Sequence, residues 1–119
     1  MAEATFRHGE PRMIDHTPGS GNIAAGEVVL LGNTAGLTCG ISHRPIENGV
    51  LGALAAGGGV YECVNLNNAA NYALVYWDTS VNKVTTVSTY MAMFGFIVDG
   101  TGGGGANSNC SVLHVPWAQ

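Results

Sequence analysis

Apolar positions in this chain come in short runs separated by turn residues, and no stretch sustains the three-to-four-residue apolar repeat of an amphipathic helix. The runs are Arg12 to His16, Glu27 to Leu31, Gly36 to Ser42, Val50 to Ala55, Val60 to Val64, Tyr72 to Trp77, Lys83 to Ser88, Met91 to Val98 and Cys110 to Val115. They are rich in β-branched and aromatic residues and are punctuated by Gly, Pro, Asn, Asp and Ser, as half-buried strands are. They predict an all-β fold, a small barrel or sandwich of eight or nine short strands with little helix. One segment has a competing helical reading: Asn65 or Asn67 could cap a turn through Ala69, Ala70 and Tyr72. Pro18 to Asn22 and Gly100 to Asn109 read as loops, the second a flexible glycine run.

The pattern is stated twice with an offset of about 45 residues, which suggests two pseudo-repeated halves. Ala24 to Leu31 aligns with Ala69 to Tyr76, and Leu51-Gly52-Ala53 answers Phe94-Gly95-Phe96. Each half ends in a strand that carries a cysteine, Val60 to Val64 and Cys110 to Val115. Between Tyr76-Trp77 and Val84-Thr85, the residues Asp78 to Asn82 predict a hairpin turn, because Asp and Asn side chains bond their own backbone. Gly95 stands inside an apolar strand and signals a bulge or a close approach of two backbones.

Composition narrows the class. At 119 residues and 12.2 kDa the chain suits one domain, read as an arm over residues 1–10 and a single β domain over residues 11–119. Only 10% of residues are charged, and eighteen glycines, ten asparagines and nine threonines recur throughout. Four cations against eight carboxylates give a formal charge of −4, so no basic patch exists for nucleic acid. No apolar run approaches the roughly 20 residues of a membrane-spanning helix, and membrane is not expected as a partner. Charges near the start interrupt any signal-like segment, so synthesis in the cytoplasm is expected. Three cysteines, Cys39, Cys63 and Cys110, suit neither a disulfide framework nor a zinc site and read as small buried apolar groups.

Chemistry-bearing motifs are sparse. Gly100 to Gly105 matches a dinucleotide-binding glycine pattern only because it is nearly all glycine, and no helix follows it to face a pyrophosphate. The single lysine, Lys83, does not stand in a phosphate-binding loop. Cys39 and His43 lie about 13 Å apart if the strand runs straight, too far to share a metal. The histidines read as surface or interface groups, and protonating all four would take the formal charge from −4 to 0, strengthening association near pH 5. No nucleophile elbow or reactive cysteine setting is recognisable. The chain reads as no enzyme, with no cofactor and no metal.

Interaction is the better use of such a chain. The aromatic residues exceed what so small a core needs, and Trp117, next to Pro116, would be wet in an isolated chain. The candidate partner interface is Phe6, Arg7, His8, Arg12 and Trp117, with the arm ordered by a partner. A surface so poor in charge suits a protein covered by other copies or by a larger lattice.

The order Gly26-Glu27-Val28, Gly36-Leu37, Tyr76-Trp77-Asp78, Asn82-Lys83-Val84-Thr85-Thr86 and Phe94-Gly95-Phe96 resembles a family of short bacteriophage proteins encoded beside head genes and often labelled phage recombinases. The likeness spans Arg12 to Val115, and the Tyr-Trp-Asp to Lys-Val-Thr-Thr hairpin is its most specific part. The resemblance implies a β-rich capsid decoration, or cement, protein. It would bind the major capsid protein on the outer surface of the mature head and assemble with itself, a trimer being the foremost arrangement. The Gly100 to Asn109 loop is longer than the final turn of the family. The alternative reading is a glycan-binding or host-adhesion β module of the virion, which would present exposed aromatic rings.

Overall fold

Ten strands form, and their order follows the apolar runs. They are β1 (Thr5–Gly9), β2 (Met13–His16), β3 (Val28–Asn33), β4 (Gly36–Ile41), β5 (Gly52–Ala55), β6 (Gly59–Asn65), β7 (Leu74–Asp78), β8 (Lys83–Thr85), β9 (Ala92–Asp99) and β10 (Ser108–His114). This computed structural model describes residues 3–33, 36–66, 70–87, 92–99 and 108–116. No helix occurs among the described residues, and none is long and apolar enough to cross a membrane. The helical alternative does not form where it can be seen: Asn65 ends β6, and Tyr72 sits in a turn with φ of 69°. Residues 67–69 of that alternative and most of the Gly100 to Asn109 loop lie outside the described residues.

All ten strands belong to one hydrogen-bonded sheet, folded on itself into a small sandwich-like body. Its centre is a ring in which β6 pairs β8, β8 pairs β7, β7 pairs β9, β9 pairs β10 and β10 returns to β6. The parallel closure between β6 and β8 is thin, with Asn65 opposite Val84 and Leu66 N–H donating to the Val84 carbonyl at 2.8 Å. Outside the ring, β4 joins β9 in parallel at Thr38 and Met93, and β3 lies along the outer edge of β4.

The halves read from the sequence reappear in part. β3–β4 and β7–β8 are antiparallel hairpins at matching places in the two halves. The two cysteine-bearing strands, β6 and β10, pair with each other so that Cys63 faces Cys110. The neighbours of β5 and β9 differ, however: β5 lies between β2 and β4, whereas β9 is a member of the ring, paired with β7 and β10, and also meets β4.

Alternation along β6 buries Gly59, Tyr61, Cys63 and Asn65 and leaves the residues between them half-buried, the period of a strand with one face on a core. Trp77, Tyr61, Phe94, Ile97, Val75, Val84 and Val112 fill that core, each 1% exposed or less. Burial of side chains this size contributes roughly 1.5–3 kcal/mol apiece. A satellite cluster of Ile23, Ile46 and Leu54 lies beneath Val29 and Leu31.

Two local signals act as the sequence indicates. Asp78 Oδ1 accepts from the backbone N–H of Ser80 at 2.9 Å and from its hydroxyl at 2.6 Å, and the Asn82 N–H donates to the Asp78 carbonyl at 2.8 Å. Asn82, at φ of 57°, supplies the left-handed residue that returns the chain into β8. Gly95 lies between Val75 of β7 and His114 of β10, and a Cβ built there would sit 1.8 Å from the Leu113 carbonyl oxygen. The β7–β9 register shifts beside it, between Val75 and Tyr76. Gly95→Ala is therefore expected to lower stability by about 3 kcal/mol, the upper end of overpacking effects, and the unfolding midpoint by roughly 10 °C; thermal denaturation followed by circular dichroism measures it.

Candidate interaction surface

Residues 5–16 form one long edge of the sheet. β1 runs antiparallel to β6 with Thr5 opposite Glu62 and Gly9 opposite Gly59, and β2 continues the same course along β5 with Met13 opposite Ala55 and His16 opposite Gly52. Between them the Arg12 N–H donates to the Gly57 carbonyl at 2.8 Å, and the Arg12 carbonyl accepts from Ala56 N–H at 2.7 Å. The segment read as an arm thus contributes a strand. It went unseen because all five residues of β1 are exposed and carry no apolar alternation. Its start is tied down where Ala4 N–H donates to the Gly26 carbonyl at 2.9 Å and Glu3 Oε1 accepts from Val28 N–H at 3.0 Å.

Opposite its partners the edge is free, since β1 pairs β6 and β2 pairs β5 with no second neighbour among the described residues. At about 3.3 Å per residue it extends for roughly 40 Å. A bulge between Phe6 and His8, Gly9 at φ of 112° and Pro11 break it into two short stretches, devices that blunt open edges in native sheets.

Four residues expected at an interface stand on this edge. Phe6 is 40% exposed and lays its ring on His43, with centroids 4.7 Å apart, and edge-on to Tyr61 at 5.5 Å. Arg7 reaches Glu62 at 3.5 Å, a half-exposed pair of the kind that contributes about 0–1 kcal/mol. His8 and Arg12 are exposed. Trp117 lies outside the described residues. The sequence reading passed over Met13 and Ile14, 47% and 40% exposed on β2, and Val50 and Leu51, 50% and 65% exposed just before β5. Their apolar runs read as half-buried strands, and the run alone does not tell an edge from a centre. Tyr72, at 74% exposure, is the most open of these side chains.

Clefts border the edge. One of about 380 Å³ is lined by Ala4, Phe6, Gly26, Ser42 and His43, another of about 440 Å³ by Met13, His43, Arg44, Ile46 and Ala53, and a third of about 280 Å³ begins at His16. His43 is the wall between the first two. Its Nε2 lies 2.6 Å from the Tyr61 hydroxyl. Burial pushes the Tyr61 phenol above its usual range and His43 below its own, so a protonated phenol donates to a neutral imidazole. Behind Tyr61 stands His114, with ring centroids 5.8 Å apart, and behind His114 stand Phe94 and Trp77. A file of rings therefore runs from the cleft to the core.

Little in this arrangement can do chemistry. All three thiols are buried and free, with Cys39 pushed up to about 12, Cys110 to about 11 and Cys63 also raised, chiefly by burial, so they stay protonated and unreactive. Among the described residues no group of three His, Cys, Asp or Glu side chains converges as a metal site. What the fold defines is a small all-β, sandwich-like module with one open sheet edge. The family model described as phage cement protein matches residues 7–113, and the chain belongs to that family. It is a family of structural rather than catalytic proteins, which places the chain on the phage capsid as a decoration protein. No curated protein and no solved structure matches the chain.

The histidine reading needs correction. His114, expected at a surface, is fully buried, and its Nε2–H donates to the Cys39 carbonyl at 2.9 Å while Nδ1 is buried with no partner among the described residues. Burial lowers it to about 4, against a smaller raising effect of that hydrogen bond, and burial lowers His43 as well. Protonation near pH 5 therefore does not bring the charge to zero, because His114 stays neutral in the folded state. In the unfolded chain it takes up its proton near 6.5. Its contribution is fully present above pH 6.5 and is lost as the pH falls towards 4, in total up to about 3 kcal/mol. His114→Gln should flatten the dependence of stability on pH across that window relative to the unaltered chain, as urea unfolding at pH 7 and at pH 4.5 will measure.

Proposed function

We propose that this protein is made in the host cytoplasm and binds the outer surface of the mature phage head as a cyclic oligomer, a trimer at three-fold positions. It contacts the major capsid protein through Phe6, Arg7, His8, Arg12 and Trp117. The open edge over residues 5–16 carries this reading, since four of those five residues stand on it beside clefts that a neighbour's side chains can enter. A ligand that binds only the mature lattice raises the free energy needed to break it. Weak contacts repeated around an oligomer and across a shell act together. Exposed apolar groups such as Leu51 and Tyr72 in a chain with 10% charged residues favour association with other copies.

A glycan platform has less support. Among the described aromatic side chains only Phe6 and Tyr72 are exposed, and Phe6 is stacked on its own neighbours.

Light scattering of the purified protein should give three times the 12.2 kDa chain mass, and a single-chain mass at micromolar concentration would overturn the trimer. Heads of the encoding phage assembled without this protein should take it up to saturation and then resist heating better. Heads that fail to retain it on sedimentation would overturn the decoration reading.

A further inference from the structure

We infer that the ring of Tyr72 in one copy seats in the cleft beside Gly26 of the next, so that the oligomer closes through a knob and a hollow carried by equivalent turns of one chain. The inference rests on the reading of the protein as a cyclic oligomer. Three turns of one kind, 24–27, 47–50 and 70–73, recur at intervals of 23 residues, and in each the last N–H donates to the first carbonyl, at 3.2, 3.0 and 3.1 Å. The third residue of each has positive φ, 80° at Gly26, 80° at Gly49 and 69° at Tyr72, and the second residue does not, which is the type II pattern. Each third residue also donates its N–H to a carbonyl far along the chain: Gly26 to Ser42 at 2.6 Å, Gly49 to Pro18 at 2.8 Å and Tyr72 to Ile97 at 2.6 Å. One structure is thus built three times, and its third position calls for glycine.

Tyr72 departs from that rule. A bulky residue in the left-handed region crowds its Cβ against its own backbone. At 74% exposure the ring returns little to the fold that carries this strain. Asn82, the other non-glycine residue with positive φ, belongs to a type that tolerates the conformation. Strain kept in an exposed side chain points to a contact outside the chain. Tyrosine suits such a contact, with an apolar body and a polar tip, and it is among the residues that anchor interfaces.

The first turn shows where the ring goes. Gly26 stands at the position equivalent to Tyr72, and with Ala25 it lines the cleft of about 380 Å³, whose other walls include Ala4, Phe6, Ser42 and His43. One turn holds out a ring where its counterpart leaves a hollow. Charge agrees with this pairing: no Asp, Glu, Lys or Arg lines this cleft, and residues 70–77 contain none either. The two other clefts each hold a charged residue, Arg44 in one and Glu27 in the other. An uncharged ring entering uncharged walls displaces no ionic hydration, and Phe6 and His43 offer ring surfaces for it to pack on. Knob and hollow are different patches of the same chain, so the contact is head-to-tail, the kind that closes a ring of subunits.

The test is light scattering of the full chain over a dilution series. Tyr72→Gly keeps the turn and removes the ring, and Ala25→Leu keeps the turn and fills the hollow. Each should weaken association roughly tenfold or more, as loss of an interface anchor does. The double variant should associate no more weakly than the weaker single one, because both remove the same contact. At dilutions that give single chains, the unfolding midpoint of Tyr72→Gly should equal that of the unaltered chain or exceed it by up to about 5 °C, as left-handed strain is relieved. A lower midpoint would show that the ring serves its own fold and would overturn the inference. Unchanged association of either variant would overturn it while leaving the cyclic oligomer in place. Loss of Tyr72→Gly from phage heads with its mass in solution unchanged would give the ring to the shell and overturn it too. If the unaltered protein is a single chain at every concentration, the oligomer reading fails and this inference falls with it.

Discussion

Strand β9 has to serve three neighbours, and it can do so because residue 95 has no side chain. β7 lies along one of its edges, and β10 and then β4 along the other. The Leu113 carbonyl comes so near the Cα of Gly95 that even a methyl group would meet it. Buried backbone groups have to find partners somewhere, and in a chain without described helices most of them find these partners on neighbouring strands. The ring of β6, β8, β7, β9 and β10 is the solution, and the largest side chains, Trp77, Tyr61 and Phe94, are gathered within the core it forms.

That same accounting explains where the sheet stays open. Residues 5–16 follow the outside of β5 and β6 and pair inward along both, with Arg12 bonded to residues 56 and 57 between the two stretches. Nothing in the described chain lies beyond them. A protein that works alone would gain by covering such an edge. Under the proposed decoration role, an open strand edge that presents Phe6, Arg12, Met13 and Ile14 is surface that a neighbour can use.

The file of rings from Phe6 through His43 and Tyr61 to His114 links that surface to the core. Its members are held by stacking and by two hydrogen bonds, from the Tyr61 hydroxyl to His43 and from His114 to the Cys39 carbonyl. The neutral state of His114 is thus a condition of the packing, because an imidazolium there would hold a charge and an N–H with no acceptor. Acid works against the fold at this point rather than tuning charge at an interface.

Strand positions, the Asp78 to Asn82 turn, the close approach at Gly95 and the buried state of the cysteines were legible in the sequence, because each depends on local pattern: period-two burial, side chains that bond their own backbone, a missing Cβ. The family likeness was legible for the same reason, resting on short motifs such as Tyr76-Trp77-Asp78. Tertiary structure alone decided what each strand lies beside. β1 has no apolar alternation to announce it, and only β6 draws it into the sheet. Met13 and Ile14 belong to a run that reads as one more half-buried strand, and only the end of the pairing order leaves them exposed. His114 is no different in type from His8, yet the ring closes over one and the other stays on the edge, because burial is set by contacts between residues far apart in the chain.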